Sequence, residues 1–172
     1  MIRCQITNGF GTSLLSPEAD LIQIREPEFS ARELEVYVRQ ALALKLRGRI
    51  LVNDRLDVAL ATGTAGVHLK SNGISPKLVR QLAPTGFVIT VACHNLDDVL
   101  AAEGADYVLL SPVFAPLSKV DSRIPLGLTE LSRIALLSPI PVLALGGIDE
   151  ARSTACLEAG AVGVAGISLF ST

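Results

Sequence analysis

Apolar positions along this chain fall into short runs, and the runs alternate with longer stretches in which apolar residues recur every three or four positions. The runs are Ile2–Thr7, Leu21–Arg25, Arg49–Asn53, Gly66–Leu69, Phe87–Cys93, Tyr107–Phe114, Pro141–Gly146 and Val162–Leu169. Their length and β-branched content read as strands. Helical spacing covers Ala31–Arg47, Arg55–Thr62, Pro76–Ala83, Leu96–Glu103, Leu126–Ser138 and Glu150–Ala159. End signals support these limits. Ser30 with Glu33 three residues on is a capping box, and Ser75-Pro76 reads as an N-cap followed by proline at the first helical position. Asn95 precedes Asp97 and Asp98 as a further N-cap. Glycines in Glu103-Gly104-Ala105-Asp106 and Glu158-Ala159-Gly160-Ala161 close two helices.

Strict strand–helix alternation implies right-handed βαβ units and a parallel sheet. Eight strands, apolar on both faces, favour an α/β barrel of the TIM type, (β/α)8, over an open sheet. One domain spanning residues 1–172 accommodates it. The segment from Asn8 to Asp20 leaves room for one turn of helix at most, and only Phe170, Ser171 and Thr172 follow the last strand run. The expected barrel is therefore minimal, with helices one and eight short or missing. Such a gap exposes the flank around the first and last strands, and a homo-oligomer is expected to cover it.

Composition narrows the function classes. Hydrophobic residues make up 49% and aromatics only 4%, so small aliphatics do the packing. The net charge of −2 offers no basic stripe for nucleic acid. No apolar stretch reaches the ~20 residues of a membrane span. The first residues show no signal-peptide shape, and three cysteines (Cys4, Cys93 and Cys156) make no CxxC pair. They read as buried hydrophobes in a reducing cytoplasm.

Barrels of this kind build their sites at the C-terminal strand ends and in the loops that follow. Gln23, Arg25 and Glu26 end the second strand, Asn53, Asp54 and Arg55 the third, and His68, Lys70 and Asn72 the fourth. His94 ends the fifth, and Ser118 and Lys119 lie in the loop after the sixth. Gly146-Gly147 and Gly166-Ile167-Ser168 follow the last two, where paired loops often present backbone N–H groups to a phosphate. Ordinary tight turns would also explain these glycines. Gln23 and Arg25 share a face of their strand. If that face is the lumen, the buried cation needs an anion, either a ligand phosphate or Asp54 or Glu26. Asp54 can hold Mg²⁺ or cap the next helix. His68 and His94 suit acid–base or structural roles alike.

The runs Gln23-Ile24-Arg25-Glu26, Leu51 to Ala59, Gly66-Val67-His68-Leu69, Gly104-Ala105-Asp106-Tyr107, Ser111-Pro112-Val113-Phe114 ending at Lys119, Ile140 to Ile148, and Gly160 to Ala165 occur together and in order. This set resembles the thiamine-phosphate synthases and their TenI-like relatives. The resemblance implies that hydroxymethylpyrimidine diphosphate is joined to a thiazole phosphate, with pyrophosphate lost and Mg²⁺ assisting. It implies Gln23, Arg25 and Asn53 on the pyrimidine diphosphate, Asp54 on Mg²⁺ and Lys119 on the diphosphate. Ser118, Gly146, Gly147 and Ser168 would hold the thiazole phosphate, beside Gly166 of the strand-eight loop.

Departures concentrate on one side of that pattern. Pro27 stands where the family has a second basic residue, and Asn72-Gly73 where a second metal-binding aspartate is expected. Ala92 replaces a serine and Pro116 a threonine. The run Leu69 to Lys77 looks TenI-like, yet Pro112 stands where the tautomerase has a histidine. Three readings follow: a synthase with an eroded metal site; a thiazole phosphate tautomerase using His94 or His68; and a non-catalytic binder of thiazole phosphate or thiamine phosphate. On this pattern the thiazole-phosphate cup is the better preserved part, and the metal and diphosphate side the depleted one.

Overall fold

Eight parallel strands close on themselves in sequence order, β1 Ile2–Ile6, β2 Leu21–Ile24, β3 Arg49–Asn53, β4 Gly66–Leu69, β5 Val88–Cys93, β6 Tyr107–Leu110, β7 Val142–Leu145 and β8 Gly163–Gly166. The computed structural model describes residues 1–9, 15–115 and 124–170, excepting the side chain of Ser168. Pairing of β1 with both β2 and β8 seals the barrel. Helices α1 Ala31–Ala43, α2 Leu56–Thr62, α3 Pro76–Leu82, α4 Leu96–Ala101, α5 Gly127–Leu137 and α6 Glu150–Glu158 follow β2 to β7 in turn. The expected TIM-type barrel is thus the observed one.

The end signals act as their chemistry requires. Ser30 and Glu33 form both bonds of the capping box. Asn95 accepts the Asp98 N–H at 2.8 Å, and Gly104 and Gly160 adopt φ of +99° at helix ends. Ser75, by contrast, precedes Pro76 without a side-chain cap bond. Strand six is shorter than the apolar run suggests. It ends at Leu110, because Pro112 has no N–H to continue a ladder. Beyond it, Val113 and Phe114 donate to the carbonyls of Leu145 and Gly146 at 2.9 and 3.1 Å. Likewise β8 stops at Gly166, and Ser168–Phe170 coil into a 3-10 turn. The first helix closes at Ala43, and Lys45 at φ +51° turns the chain towards β3.

Two cores result from the alternation of side chains along each strand. Inside the barrel lie Cys4, Ile6, Leu21, Leu51, Val88, Leu109, Leu143 and Ala165. Outward residues such as Ile22, Val52, Val67, Ile89 and Val164 pack against the helices. Burying one such aliphatic side chain contributes about 1.5–3 kcal/mol. All three cysteines are buried and free, and burial pushes the Cys4 thiol up to about 12.

The flank between β1 and β8 has the thin helix layer expected. Among the described residues no helix lies between β1 and β2, and only the 3-10 turn follows β8. The outward residues of β1 are nevertheless Arg3 and Gln5, not apolar ones. Gln5 is buried and accepts the Ser16 N–H at 2.8 Å, while Phe170 lies 5.3 Å from the Arg3 guanidinium. Among the described residues Arg3 and Gln5 make this strand face polar, while Met1 and Val162, which precede β1 and β8, are exposed.

Candidate active site

Inside the barrel the side chains change character towards the C-terminal strand ends. Above the aliphatic layers, Gln23 Nε2 donates to Asn53 Oδ1 at 2.8 Å, and His68 Nδ1 meets Thr90 Oγ1 at 2.8 Å. These two polar pairs floor a cavity of about 740 Å³ that opens at the strand tips. Its walls include Ile6, Leu34, Leu145 and Ile167, and Arg25, Asp54, Lys70 and His94 ring its mouth.

Each charged group is placed by its strand. Arg25 follows β2 two residues beyond Gln23, on the inward face as the alternation requires. It is half-buried, and its guanidinium makes no ion pair or hydrogen bond among the described residues. Asp54 follows β3 at φ +54° and donates its N–H to the His68 carbonyl at 2.7 Å. A non-glycine residue in this region costs about 1–3 kcal/mol and persists only when its surroundings dictate it. Lys70 continues the inward series Gly66, His68, Lys70 along β4 and forms an ion pair with Asp54 Oδ2. Arg55, also lining the cavity, is held by two bonds to Asp57 at 2.9 and 2.6 Å.

The two histidines have distinct settings. His68 is buried, and that burial, with Arg25 adding to it and Asp54 opposing it, lowers its pKa to about 4. It is neutral at pH 7. His94 is half-buried, and its Nδ1 donates to the Ser111 carbonyl at 2.8 Å, which fixes its tautomer.

Glu26 is a structural member of the rim. Its carboxylate accepts the Thr7 hydroxyl and, at 2.8 Å, the Gly9 N–H, while Thr7 Oγ1 accepts the Arg25 N–H at 2.9 Å. This network ties the end of β1 to the residue that carries the free guanidinium.

Of the residues singled out from sequence, the cavity gathers Gln23, Arg25, Asn53, Asp54, His68 and His94. Gly146, Gly147 and Gly166 are not among its lining residues; Leu145 and Ile167 line it instead. A Cβ at Gly146 would lie 2.9 Å from Pro112 Cα, and one at Gly147 would lie 2.2 Å from the Ala115 carbonyl oxygen. Both positions also have positive φ, +103° and +60°. Glycine is needed here for close approach of the chain to itself, so its presence is no evidence of a phosphate. Ser118 and Lys119 lie outside the described residues, as does the Ser168 side chain. Sequence reading placed Lys70 and Arg55 at strand tips without a role. The signal for Lys70 was its parity with His68.

The donor set does not suit a resident Mg²⁺. Such an ion takes one or two carboxylates plus substrate phosphates. Among the described lining residues the only carboxylates are Asp54, which carries the Lys70 ammonium, and Glu26, which accepts from Thr7 and Gly9.

A closed parallel barrel with Arg25, Asp54, Lys70 and His94 around a cavity at its strand ends has the layout of a barrel enzyme's active site. The family model described as thiamine monophosphate synthase matches residues 10–170. The chain is 41% identical over 155 residues to the thiamine-phosphate synthase of Methanoculleus marisnigri, covering 87% of this chain and 73% of that one. To the thiamine-phosphate synthase of Chloroflexus aurantiacus it is 37% identical over 157 residues, covering 87% and 71%. The solved thiamine phosphate pyrophosphorylase from Pyrococcus furiosus superposes with a TM-score of 0.81 at 31% identity, over 97% of this chain and 85% of that chain. This protein belongs to the thiamine monophosphate synthase family. That membership makes it a thiamine-biosynthesis protein of the transferase type.

Proposed function

We propose that the cavity holds hydroxymethylpyrimidine diphosphate against a thiazole phosphate and couples them to thiamine phosphate. The observation that carries this reading is Arg25, a half-buried guanidinium without an anionic partner among the described residues, standing over an amide floor. A cation so placed calls for a charged ligand. The diphosphate supplies it, and Arg25 stabilises the negative charge that builds as the leaving group departs.

Beneath it, the buried Oε1 of Gln23 has no partner among the described residues, because its amide nitrogen is turned to Asn53. An unsatisfied buried acceptor costs about 1–3 kcal/mol. An amino-substituted pyrimidine offers the missing N–H. In the coupling, the bond from the pyrimidine methylene carbon to the diphosphate oxygen breaks, and pyrophosphate takes the electron pair. The thiazole nitrogen then forms the new bond to that carbon with its lone pair, and no proton need move. His68, neutral and buried, and His94, fixed by Ser111, serve here to shape the wall. Lys119, Ser118, Gly146, Gly147 and Ser168 are assigned to the thiazole phosphate and diphosphate by the family pattern alone, beside Gly166 of the strand-eight loop.

Incubation of the protein with both precursors and saturating Mg²⁺ should yield thiamine phosphate and pyrophosphate in equal amounts. No product at high enzyme concentration removes the reading. A cytoplasmic location accompanies it, and sedimentation equilibrium settles the expected homo-oligomer, a monomer removing it.

A further inference from the structure

The Asp54–Lys70 pair has a place in the fold that an ordinary surface pair lacks. Asp54 is aimed at the cavity mouth by a left-handed backbone conformation and by its N–H bond to the His68 carbonyl. Lys70 reaches the same point from the neighbouring strand, two residues beyond His68, and its ammonium sits on Asp54 Oδ2. Both side chains line the cavity together with Arg25. Among the described lining residues the only other carboxylate is Glu26, whose oxygens are taken up by the Thr7 hydroxyl and the Gly9 N–H, and the positions after Lys70 are Ser71, Asn72 and Gly73.

We infer that Lys70 is a resident counter-cation that takes the place of a divalent ion at Asp54 and binds the ligand's phosphate oxygens directly. This deepens the proposed function and rests on reading the cavity as a diphosphate site. A metal ion bridging Asp54 to a diphosphate would compete with the ammonium for the same carboxylate oxygen. Asp54 neutralised by Lys70 leaves Arg25 as surplus positive charge, so the rim attracts an anion without a metal. The ammonium is a compact point charge with three donors, suited to phosphate oxygens. Lys70 is 62% exposed, and an exposed pair is weak. With three donors and an exposed position, its ammonium bonds a phosphate oxygen while staying beside Asp54.

The test uses inorganic pyrophosphate as the anion probe and Mn²⁺ as the metal probe. Calorimetric titration of the wild-type protein with pyrophosphate in EDTA should show saturable binding, changed less than about threefold by excess Mg²⁺. Lys70→Met should weaken metal-free binding about tenfold or more, the scale of one lost charge-assisted contact. The same variant, its Asp54 now unpaired, should bind Mn²⁺ more tightly than wild type by electron paramagnetic resonance. Wild-type binding that requires Mg²⁺, no pyrophosphate binding at all, or a Lys70→Met variant indistinguishable from wild type with both probes overturns the inference. Mg²⁺-dependent pyrophosphate binding alongside product formation defeats this inference and spares the synthase reading. Metal-free pyrophosphate binding without product does the reverse.

Discussion

The two sides of the barrel mouth are built on different principles. From β2 to β5 the inward series ends in polar and charged groups whose demands are unmet among the described residues: a guanidinium without an anion, an amide oxygen without a donor, and a carboxylate answered by a lysine. From β6 to β8 the chain closes on itself. Residues 112–115 lie against Gly146 and Gly147, and Arg152 fastens the contact, donating to the Gly147 carbonyl at 2.6 Å while its guanidinium stands 4.9 Å from the Phe114 ring. Glycines near a strand end can therefore mark tight self-packing as readily as a ligand site. The two causes are separable only when the atoms facing the missing Cβ are known.

That contrast can be broken by substitution. The largest effect is expected from Arg25→Met, which removes a contact to a charged ligand worth about 2–3 kcal/mol and should lower kcat/KM about 30- to 150-fold. Urea unfolding should be little altered, since Arg25 makes no ion pair among the described residues. Gly147→Ala should behave in the opposite way. Its new methyl meets the Ala115 carbonyl and its φ is left-handed, so stability should fall by about 2–4 kcal/mol. If the variant keeps its unfolding midpoint and loses only affinity for thiazole phosphate, the self-packing account of this side is wrong.

Acid sharpens the β2–β5 side further. His68 titrates at about 4 in the folded protein, against an ordinary value of 6.5. The unfolded chain binds the extra proton between those values, so stability is full above pH 6.5 and falls as pH drops towards 4. The loss is on the order of 3 kcal/mol at about 1.4 kcal/mol per unit. His68→Gln should flatten that part of the stability–pH curve measured by urea unfolding. An unchanged slope would mean that another group carries it. The smallest effect belongs to Arg152→Ala, with about 1 kcal/mol lost to the missing carbonyl bond and ring contact.

Much of this was legible in the chain. The period-two runs and the caps at Ser30, Asn95 and the two helix-closing glycines define the barrel, because local hydrogen bonding and burial act within a few residues. Gln23 and Arg25 could be placed on one face by parity alone. The Gln23–Asn53 and His68–Thr90 pairs could not, since they depend on the register of neighbouring strands. Lys70 went unassigned for a related reason. Its meaning comes from Asp54, which is brought beside it only when β3 and β4 pair. The thin helix layer at the β1–β8 flank was legible from the spacing of the runs, whereas the contacts of Gln5 with Ser16 and of Arg3 with Phe170 depend on segments distant in sequence. Family residues are missing from the β2–β5 side, and among the described residues that side still carries Arg25 without an ion pair.

The measurement closest to the central claim maps where pyrophosphate binds. Backbone amide shifts recorded by nuclear magnetic resonance during a pyrophosphate titration should move most at Arg25, Glu26, Asp54 and Lys70. Gly146, Gly147 and Gly166 should stay nearly still. Shifts confined to those three glycines, with Arg25 and Lys70 unmoved, would contradict the account.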